Sequence, residues 1–248
     1  MVERADRAPV GTFHAPGDWG ATVELDAAAA HHAGVKRLAV GNVVRLTSGD
    51  GRRATGTIAA LAKRRLTVAL DAEAVELVPA LPRVELWAPV GDRERMLMLA
   101  EKAVELGASA WRPIVYHRSR SVTPRGEGEA FRDKVRLRMS AALEQCGGAW
   151  LPEQHAEVTL EAALEAALGA SDAVAGVLLD VTGQPISALR GALRSPLAVA
   201  LGPEGGLEPA ERASFLAAGW RAASLGANVL RFETAGIAAL ALIRSLTP

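Results

Sequence analysis

The pattern of apolar residues changes at one short segment, Val78-Pro79-Ala80-Leu81-Pro82, and this change limits the chain to a two-part architecture. Before the two prolines, the sequence consists of short strand-like runs separated by turn signals, of which Ser48-Gly49-Asp50-Gly51 is the strongest. After them, runs of strand length alternate with segments of helical period. Because 248 residues accommodate two domains, we predict domains at residues 1–78 and 83–248.

The first part predicts a small β-rich domain. Its predicted strands are Thr22–Leu25, Val43–Leu46, Arg53–Leu61 and Leu66–Leu70. The carboxylate of Asp26 precedes an alanine run at 27–30, and an aspartate in this position is a favourable helix cap. We therefore predict one short helix between the first two strands.

The second part predicts an α/β domain with a mostly parallel sheet covered by helices. Its predicted strands are Val84–Trp87, Trp111–Tyr116, Ala173–Leu179, Leu197–Leu201 and Ala222–Leu225. Its predicted helices are Arg93–Leu106, Glu129–Gln145, Leu160–Leu168, Glu208–Ala218 and Glu233–Leu246. A basic loop, His117–Gly128, separates the second strand from the second helix.

Charge is segregated along the chain although the net charge is zero. Lys36–Arg65 holds eight basic residues and one acid, and Arg112–Arg138 holds eight basic residues and three acids. Glu153–Glu211 reverses this balance, with nine acids and two arginines. Such segregation can build one basic face that binds phosphates, although ordinary solvated surface explains it as well.

Composition excludes several other classes of protein. The lone cysteine, Cys146, excludes a disulfide framework and a cysteine metal cluster, and we expect it to be a small buried residue. The N-terminus has no apolar run typical of a signal peptide. The longest apolar stretch, Ala235–Ile243, is shorter than the ~20 residues that span a bilayer. We expect a soluble cytoplasmic protein with no metal and no membrane partner.

Two glycine-containing loops follow predicted strands and are the best candidates for a ligand site. The first is Leu201-Gly202-Pro203-Glu204-Gly205-Gly206-Leu207, and the second runs from Ser224 to Ala235 with the sequence SLGANVLRFETA. In α/β sheets, ligands bind at the carboxyl ends of strands, where both loops lie. The chain has no G-x-G-x-x-G, no G-x-x-x-x-G-K-[ST] and no G-x-S-x-G motif, so other nucleotide and hydrolase sites are disfavoured.

In their order and spacing, these segments resemble the 16S rRNA uridine-N3 methyltransferases, which belong to the SPOUT class. Besides the two loops, the resemblance is carried by segments spread over most of the chain: Lys102–Gly107, Pro113–Ile114, His117–Ser119, Glu144–Gly147, His31–His32, Val35–Leu38, Gly41 and Asp50–Gly51. Two positions depart from the family, because Asn228 and Gly148 stand where arginines are frequent.

The resemblance implies a PUA-like RNA-binding β-barrel at the N-terminus and a SPOUT domain with a C-terminal trefoil knot. It implies a homodimer that binds S-adenosylmethionine (SAM) and acts on 16S rRNA in the small ribosomal subunit. The implied cofactor-binding residues are Leu179, Leu201, Gly202, Pro203, Glu204, Gly205, Gly206, Leu225, Gly226, Asn228, Leu230, Arg231 and Thr234. The residues we expect to contact RNA are His32, Lys36, Arg37, Arg52, Arg118 and Arg120.

Two residues of the second loop are candidates for catalysis. We expect Arg231 to stabilise negative charge on the uracil carbonyl oxygens. Either Glu233 or a water takes the N3 proton; alternatively, Arg231 and Glu233 pair with each other at the start of the closing helix. Two other functions stay open, namely a SPOUT enzyme with another target, such as a ribose 2′-hydroxyl or a tRNA base, and a non-catalytic RNA-binding protein of ribosome assembly.

Overall fold

The computed structural model describes residues 8–121, 124–169 and 174–246, and it divides the chain into two compact units. The first unit comprises the residues up to Ala80 together with Ser140–Leu151. The second comprises Leu81–Met139 and the residues from Pro152 onward. The first unit therefore includes a second, distant segment that the change in sequence pattern did not indicate.

The first unit is built on a five-stranded sheet with the order β1-β3-β4-β5-β2. Its strands are β1 (Thr12–His14), β2 (Thr22–Leu25), β3 (Val43–Thr47), β4 (Arg52–Ala62) and β5 (Arg65–Leu77). β1 pairs with β3 in parallel and the other neighbours are antiparallel. Phe13, Leu46 and Ile58 are among the fully buried side chains of its core. The strand β1 was not predicted, because three residues are too few to show a period.

One helix of this unit, α1 (Ala27–Val35), begins where the alanine run predicted it. The Asp26 carboxylate accepts hydrogen bonds from the backbone N–H groups of Ala28 and Ala29, both at 3.0 Å. These two N–H groups would otherwise have no partner within the helix.

Replacing Asp26 with alanine should therefore lower the free energy of unfolding by about 1 kcal/mol, the usual contribution of such a cap. Chemical denaturation of the two proteins measures the difference. Asp26→Asn preserves the oxygen acceptor and serves as the control, and equal losses in both variants would contradict a capping role.

The distant segment Ser140–Leu151 joins the first unit through hydrogen bonds. The Glu144 carboxylate accepts the backbone N–H of His14 at 2.8 Å. The Gly148 carbonyl accepts the hydroxyl of Thr47 at 2.7 Å. These partners are 130 and 101 residues apart in sequence, and no local pattern predicts such pairs.

Cys146 lies in this segment and is exposed, so the expectation that it is buried was wrong. It occupies the last position of its helix, where the Sγ atom lies 3.7 Å from the carbonyl oxygen of Leu143. Ala142 and Leu143 lie one turn earlier on the same face and are buried, whereas Cys146 lies at the end of the helix, beyond the packed part of that face.

The second unit is an α/β structure built on a seven-stranded sheet in which every pairing is parallel. Its strands are β6 (Val84–Pro89), β7 (Ala110–Val115), β8 (Glu153–Gln154), β9 (Val158–Thr159), β10 (Ala175–Pro185), β11 (Leu197–Ala200) and β12 (Arg221–Ser224). The strand order is β12-β10-β11-β6-β7-β8, and β9 also pairs with β7. The predicted fold class is confirmed.

The helices completing the secondary structure are α2 (Arg93–Glu105), α3 (Glu129–Cys146), α4 (Leu160–Leu168), α5 (Pro209–Ala217) and α6 (Phe232–Leu246). Short 3-10 helices occupy His117–Ser121 and Ile186–Ala192. Ala173, the predicted start of a strand, lies outside the described residues. In the described ranges, no helix is both long enough and apolar enough to cross a membrane.

An aromatic cluster packs between the sheet and α5. The rings of Trp87 and Trp220 lie 4.6 Å apart between centroids, and those of Phe215 and Trp220 lie 4.9 Å apart. Trp87 is 2% exposed, and its indole N–H donates to the Glu85 carboxylate at 3.1 Å. Since Trp87 lies on β6 and Phe215 on α5, the cluster ties the sheet to the helix that follows the first glycine loop.

Candidate active site

A cavity of about 620 Å³ opens at the carboxyl ends of β10, β11 and β12, three neighbouring strands of the parallel sheet. Three chain segments form most of its wall: the end of β10, the loop after β11 and the loop after β12. Adjacent parallel strands deliver their following loops to one edge of the sheet, which is why ligands bind there in α/β folds.

The loop after β11 is held by an arginine from outside the loop. The Arg118 guanidinium donates to the Gly205 carbonyl and to the Glu208 carboxylate, both at 2.7 Å. A Cβ atom at Gly205 would lie 3.1 Å from the Cβ of Arg118, so glycine permits this close approach. The loop therefore has a fixed course at the cavity edge.

The end of β10 bulges out of the sheet and was not recognised in the sequence. The register with β12 shifts between Leu179 and Gln184, so residues 180–183 leave the pairing, and Asp180, Val181 and Thr182 line the cavity. Asp180 accepts hydrogen bonds from the Thr182 backbone N–H at 2.8 Å and from Arg212 Nε at 2.5 Å. Burial raises the pKa of the Asp180 carboxyl, but these hydrogen bonds outweigh burial and hold the pKa below its usual range.

The loop after β12 contributes a glycine and two exposed side chains. Gly226 has a backbone φ of +142°, which residues that carry a Cβ atom rarely adopt. Val229 is 83% exposed. Arg231 is exposed and lines the cavity, and its guanidinium makes no hydrogen bond or ion pair with any residue that the structure describes. It is therefore available to a ligand.

Glu233 lies in the first turn of α6 and is only 7% exposed. Its partner is Arg95 rather than Arg231, since Arg95 Nε lies 3.9 Å from Glu233 Oε1. The other oxygen, Oε2, is buried and has no hydrogen-bond partner within the described ranges. Glu233 is not part of the cavity wall, whereas Arg95 is.

The structure places eleven of the thirteen proposed cofactor-binding residues in the cavity wall, all except Gly205 and Thr234. The wall also contains four residues of the two predicted loops that were not named individually, Leu207, Val229, Phe232 and Ala235. Six further residues of the wall were not predicted: Arg95, Asp180, Val181, Thr182, Arg212 and Ala223. One signal for Arg95 was available, because a basic side chain in the first turn of a helix is unfavourable beside the helix dipole. An arginine that is retained at such a position is expected to contribute to a binding site or to a tertiary contact.

The residues predicted to contact RNA lie on both units. In the first unit, Lys36 and Arg37 are exposed at the end of α1. His32 lies 3.4 Å from Glu144, between Nδ1 and Oε2. Arg52 is engaged internally, because it pairs with Asp50 at 2.7 Å, and its hydrogen bond to that carboxylate lowers the pKa of Asp50 to about 2.

In the second unit, the guanidinium of Arg118 is held by Gly205 and Glu208 as described above. The side chain of Arg120 lies outside the described residues. RNA contact by these six residues stays a prediction. Among the described residues, no group of three or more histidine, cysteine, aspartate and glutamate side chains is placed to hold a metal ion.

Comparison with known proteins gives consistent matches over most of the chain. An RNA methyltransferase domain family matches residues 79–244, and an RNA methyltransferase PUA domain family matches residues 25–71. Ribosomal RNA small subunit methyltransferase E of Mycobacterium bovis is 28% identical over 243 residues, covering 93% of this chain and 88% of that protein.

Solved structures of similar proteins share the fold. A methyltransferase from Legionella pneumophila, solved with bound SAM, has a TM-score of 0.82 at 25% identity and covers 96% of this chain and 98% of that chain. An RNA methyltransferase from Thermotoga maritima has a TM-score of 0.73 at 27% identity, covering 95% of this chain and 97% of that chain.

Proposed function

Because this chain belongs to the RNA methyltransferase family, we propose that it transfers the methyl group of SAM to N3 of a uridine in 16S rRNA of the small ribosomal subunit. The observation that carries the proposal is the convergence of the two glycine loops on one cavity at the carboxyl ends of the strands. The small-subunit methyltransferase of M. bovis and the SAM complex from L. pneumophila support it. The homodimer, the trefoil knot and the cytoplasmic location belong to the same proposal.

The cavity suits SAM in size and in chemistry. Its volume of about 620 Å³ lies within the roughly 300–1,000 Å³ of small-molecule sites. Leu201, Leu225 and Leu230 offer apolar surface for the adenosine, and the backbone of the two loops offers hydrogen-bonding groups. When bound, SAM supplies a methyl group carried on a sulfonium sulfur.

The protein must place uracil N3 against that methyl carbon at ~3–3.5 Å and assist the loss of the N3 proton. We propose that water accepts this proton, because Glu233 lies outside the cavity wall. The residues of the cavity wall would hold SAM, which would supply its methyl group to the deprotonated N3. Loss of the N3 proton leaves negative charge on the ring, and we propose that Arg231, which lines the cavity, stabilises it.

The reaction can be tested with the purified protein, SAM carrying a labelled methyl group, and small subunits from cells that lack an N3-uridine methylase. Digestion of the RNA should place the label in 3-methyluridine. Label in another nucleoside would support methyl transfer from SAM to RNA but refute uridine N3 as the target. Absence of label, together with absence of SAM binding, would instead favour a non-catalytic RNA-binding protein.

Replacing Arg118 with alanine should weaken SAM binding about three- to tenfold, because a charged hydrogen bond then no longer holds the loop at Gly205. Isothermal titration calorimetry without RNA isolates this effect from any RNA contact. If the SAM affinity is unchanged and only the affinity for the small ribosomal subunit falls, Arg118 contributes to RNA binding and not to SAM binding.

A further inference from the structure

Arg95 comes from α2, outside both glycine loops, yet its side chain lines the cavity. Its guanidinium lies between two carboxylates, that of Glu204 from the first loop and that of Glu233 from the second loop. Arg95 Nη1 is 4.0 Å from Glu204 Oε1, and Arg95 Nε is 3.9 Å from Glu233 Oε1. The arginine is thus the point at which the two loops and α2 meet.

These two ion pairs hold the guanidinium without using its hydrogen-bond donors. Both distances exceed the ~2.7–3.2 Å of a hydrogen bond. An arginine carries five N–H donors, and in the described part of the chain those of the Arg95 side chain form no hydrogen bond. With 31% of the side chain exposed, these donors are available at the cavity.

The three other charged side chains of the described cavity wall, apart from Arg231, already form hydrogen bonds. Asp180 and Arg212 neutralise each other through a 2.5 Å hydrogen bond. Glu204 accepts the backbone N–H of Asp92 at 3.1 Å. Among the described residues of the wall, Arg231 and Arg95 are therefore the two cations whose side chains form no hydrogen bond, whereas Arg212 donates to Asp180 and Thr182.

We propose that Arg95 is a second catalytic arginine, which binds the carbonyl oxygens of the target uracil and stabilises the negative charge left when N3 loses its proton. Glu233 and Glu204 then also act as positioning residues, because their carboxylates lie 3.9 and 4.0 Å from the Arg95 guanidinium. This inference rests on the proposed function. It also gives the buried Glu233 a role other than that of the base.

The first test is the pH dependence of single-turnover methyl transfer to small subunits. Loss of a group that stabilises transition-state charge costs about 10²–10³ in rate, so we expect Arg95→Gln to react about 100-fold slower than the wild type. The midpoint of its pH–rate profile should lie at least about one pH unit higher than that of the wild type, because a tenfold loss of anion stabilisation raises the pKa of N3 by one unit. An unmoved profile would overturn the proposal.

The second test changes the substrate. Subunits containing 5-fluorouridine carry a more acidic N3, because fluorine withdraws electrons from the ring. The deficit of Arg95→Gln should then shrink from about 100-fold to about tenfold or less. A deficit of unchanged size would mean that Arg95 does not act on the ring charge.

The third test asks whether Glu233 acts through Arg95. Glu233→Gln should slow the reaction and move the pH profile in the same direction as Arg95→Gln. The double variant should be little slower than Arg95→Gln alone, because groups that act as a unit give non-additive effects. Fully multiplicative effects would refute the positioning role and would fit a separate base.

Calorimetry distinguishes this proposal from a purely structural role. The SAM affinity of Arg95→Gln should stay within about threefold of the wild type, and a loss as large as the rate loss would make Arg95 a cofactor residue instead. Arg93→Gln is the matched control, since Arg93 lies in the same helix turn but not in the cavity wall. If the wild type itself forms no 3-methyluridine, the proposed function fails first and this inference falls with it.

Discussion

Replacing Arg231 with alanine should slow methyl transfer about 100- to 1,000-fold while leaving the melting temperature unchanged. The large effect follows from removing a cation beside the ring charge in a partly enclosed site. The unchanged stability follows because the exposed guanidinium has no partner within the described ranges. Quenched-flow single turnovers with labelled SAM measure the rate, and differential scanning calorimetry measures the stability.

The matched control for this variant is Arg221→Ala. Arg221 is another exposed arginine on the same stretch of chain, but it begins β12, at the end of the strand away from the cavity. Its substitution should leave the rate within about twofold. A near-normal rate for Arg231→Ala would remove Arg231 from the mechanism, and equal losses in both variants would indicate a general electrostatic effect on RNA binding.

Replacing Trp87 with alanine should destabilise the second unit by about 3–5 kcal/mol, the usual cost of removing a large buried side chain. Trp87 packs on Trp220, and its indole N–H is a donor to the Glu85 carboxylate. At ~2–4 °C per kcal/mol for a unit of this size, the melting temperature should fall by roughly 10 °C.

Trp87→Phe separates the two contributions, since it keeps most of the ring volume and loses the indole N–H. We expect it to cost about half as much as Trp87→Ala or less. SAM binding measured well below the lowered melting temperature should persist in both variants, because Trp87 is absent from the cavity wall. A drop of only a degree or two for Trp87→Ala would contradict the packing argument.

The architecture of the second unit was accessible from sequence because its elements have clear periods. Leu160–Leu168 forms a helix with the predicted bounds, and the predicted helix Glu208–Ala218 differs from α5 by one residue at each end. The two glycine loops were recognisable because strands of buried character precede them. The parallel sheet then brings their ends together without further information.

What the sequence did not reveal depends on contacts between distant residues. The bulge at Asp180 arises from a register shift against β12, and neither strand encodes that shift locally. The pairing of Glu233 with Arg95 joins residues 138 positions apart, in place of the pairing with Arg231 that was one of the two alternatives drawn from the sequence. Cys146 was misplaced for a related reason, because a helix position near a C-terminus becomes buried or exposed according to its tertiary neighbours.

The division of α3 between the two units has a consequence for recombination between related genes and for protein engineering. A fragment ending at Ala80 would lose the acceptors that Glu144, Gly148 and Ala149 give to His14, Thr47 and Gly51. A single crossover therefore cannot transfer the whole first unit, because the unit consists of two separate stretches of the chain. In a chimera of two related enzymes, the stretch before residue 80 and residues 140–151 must come from the same parent.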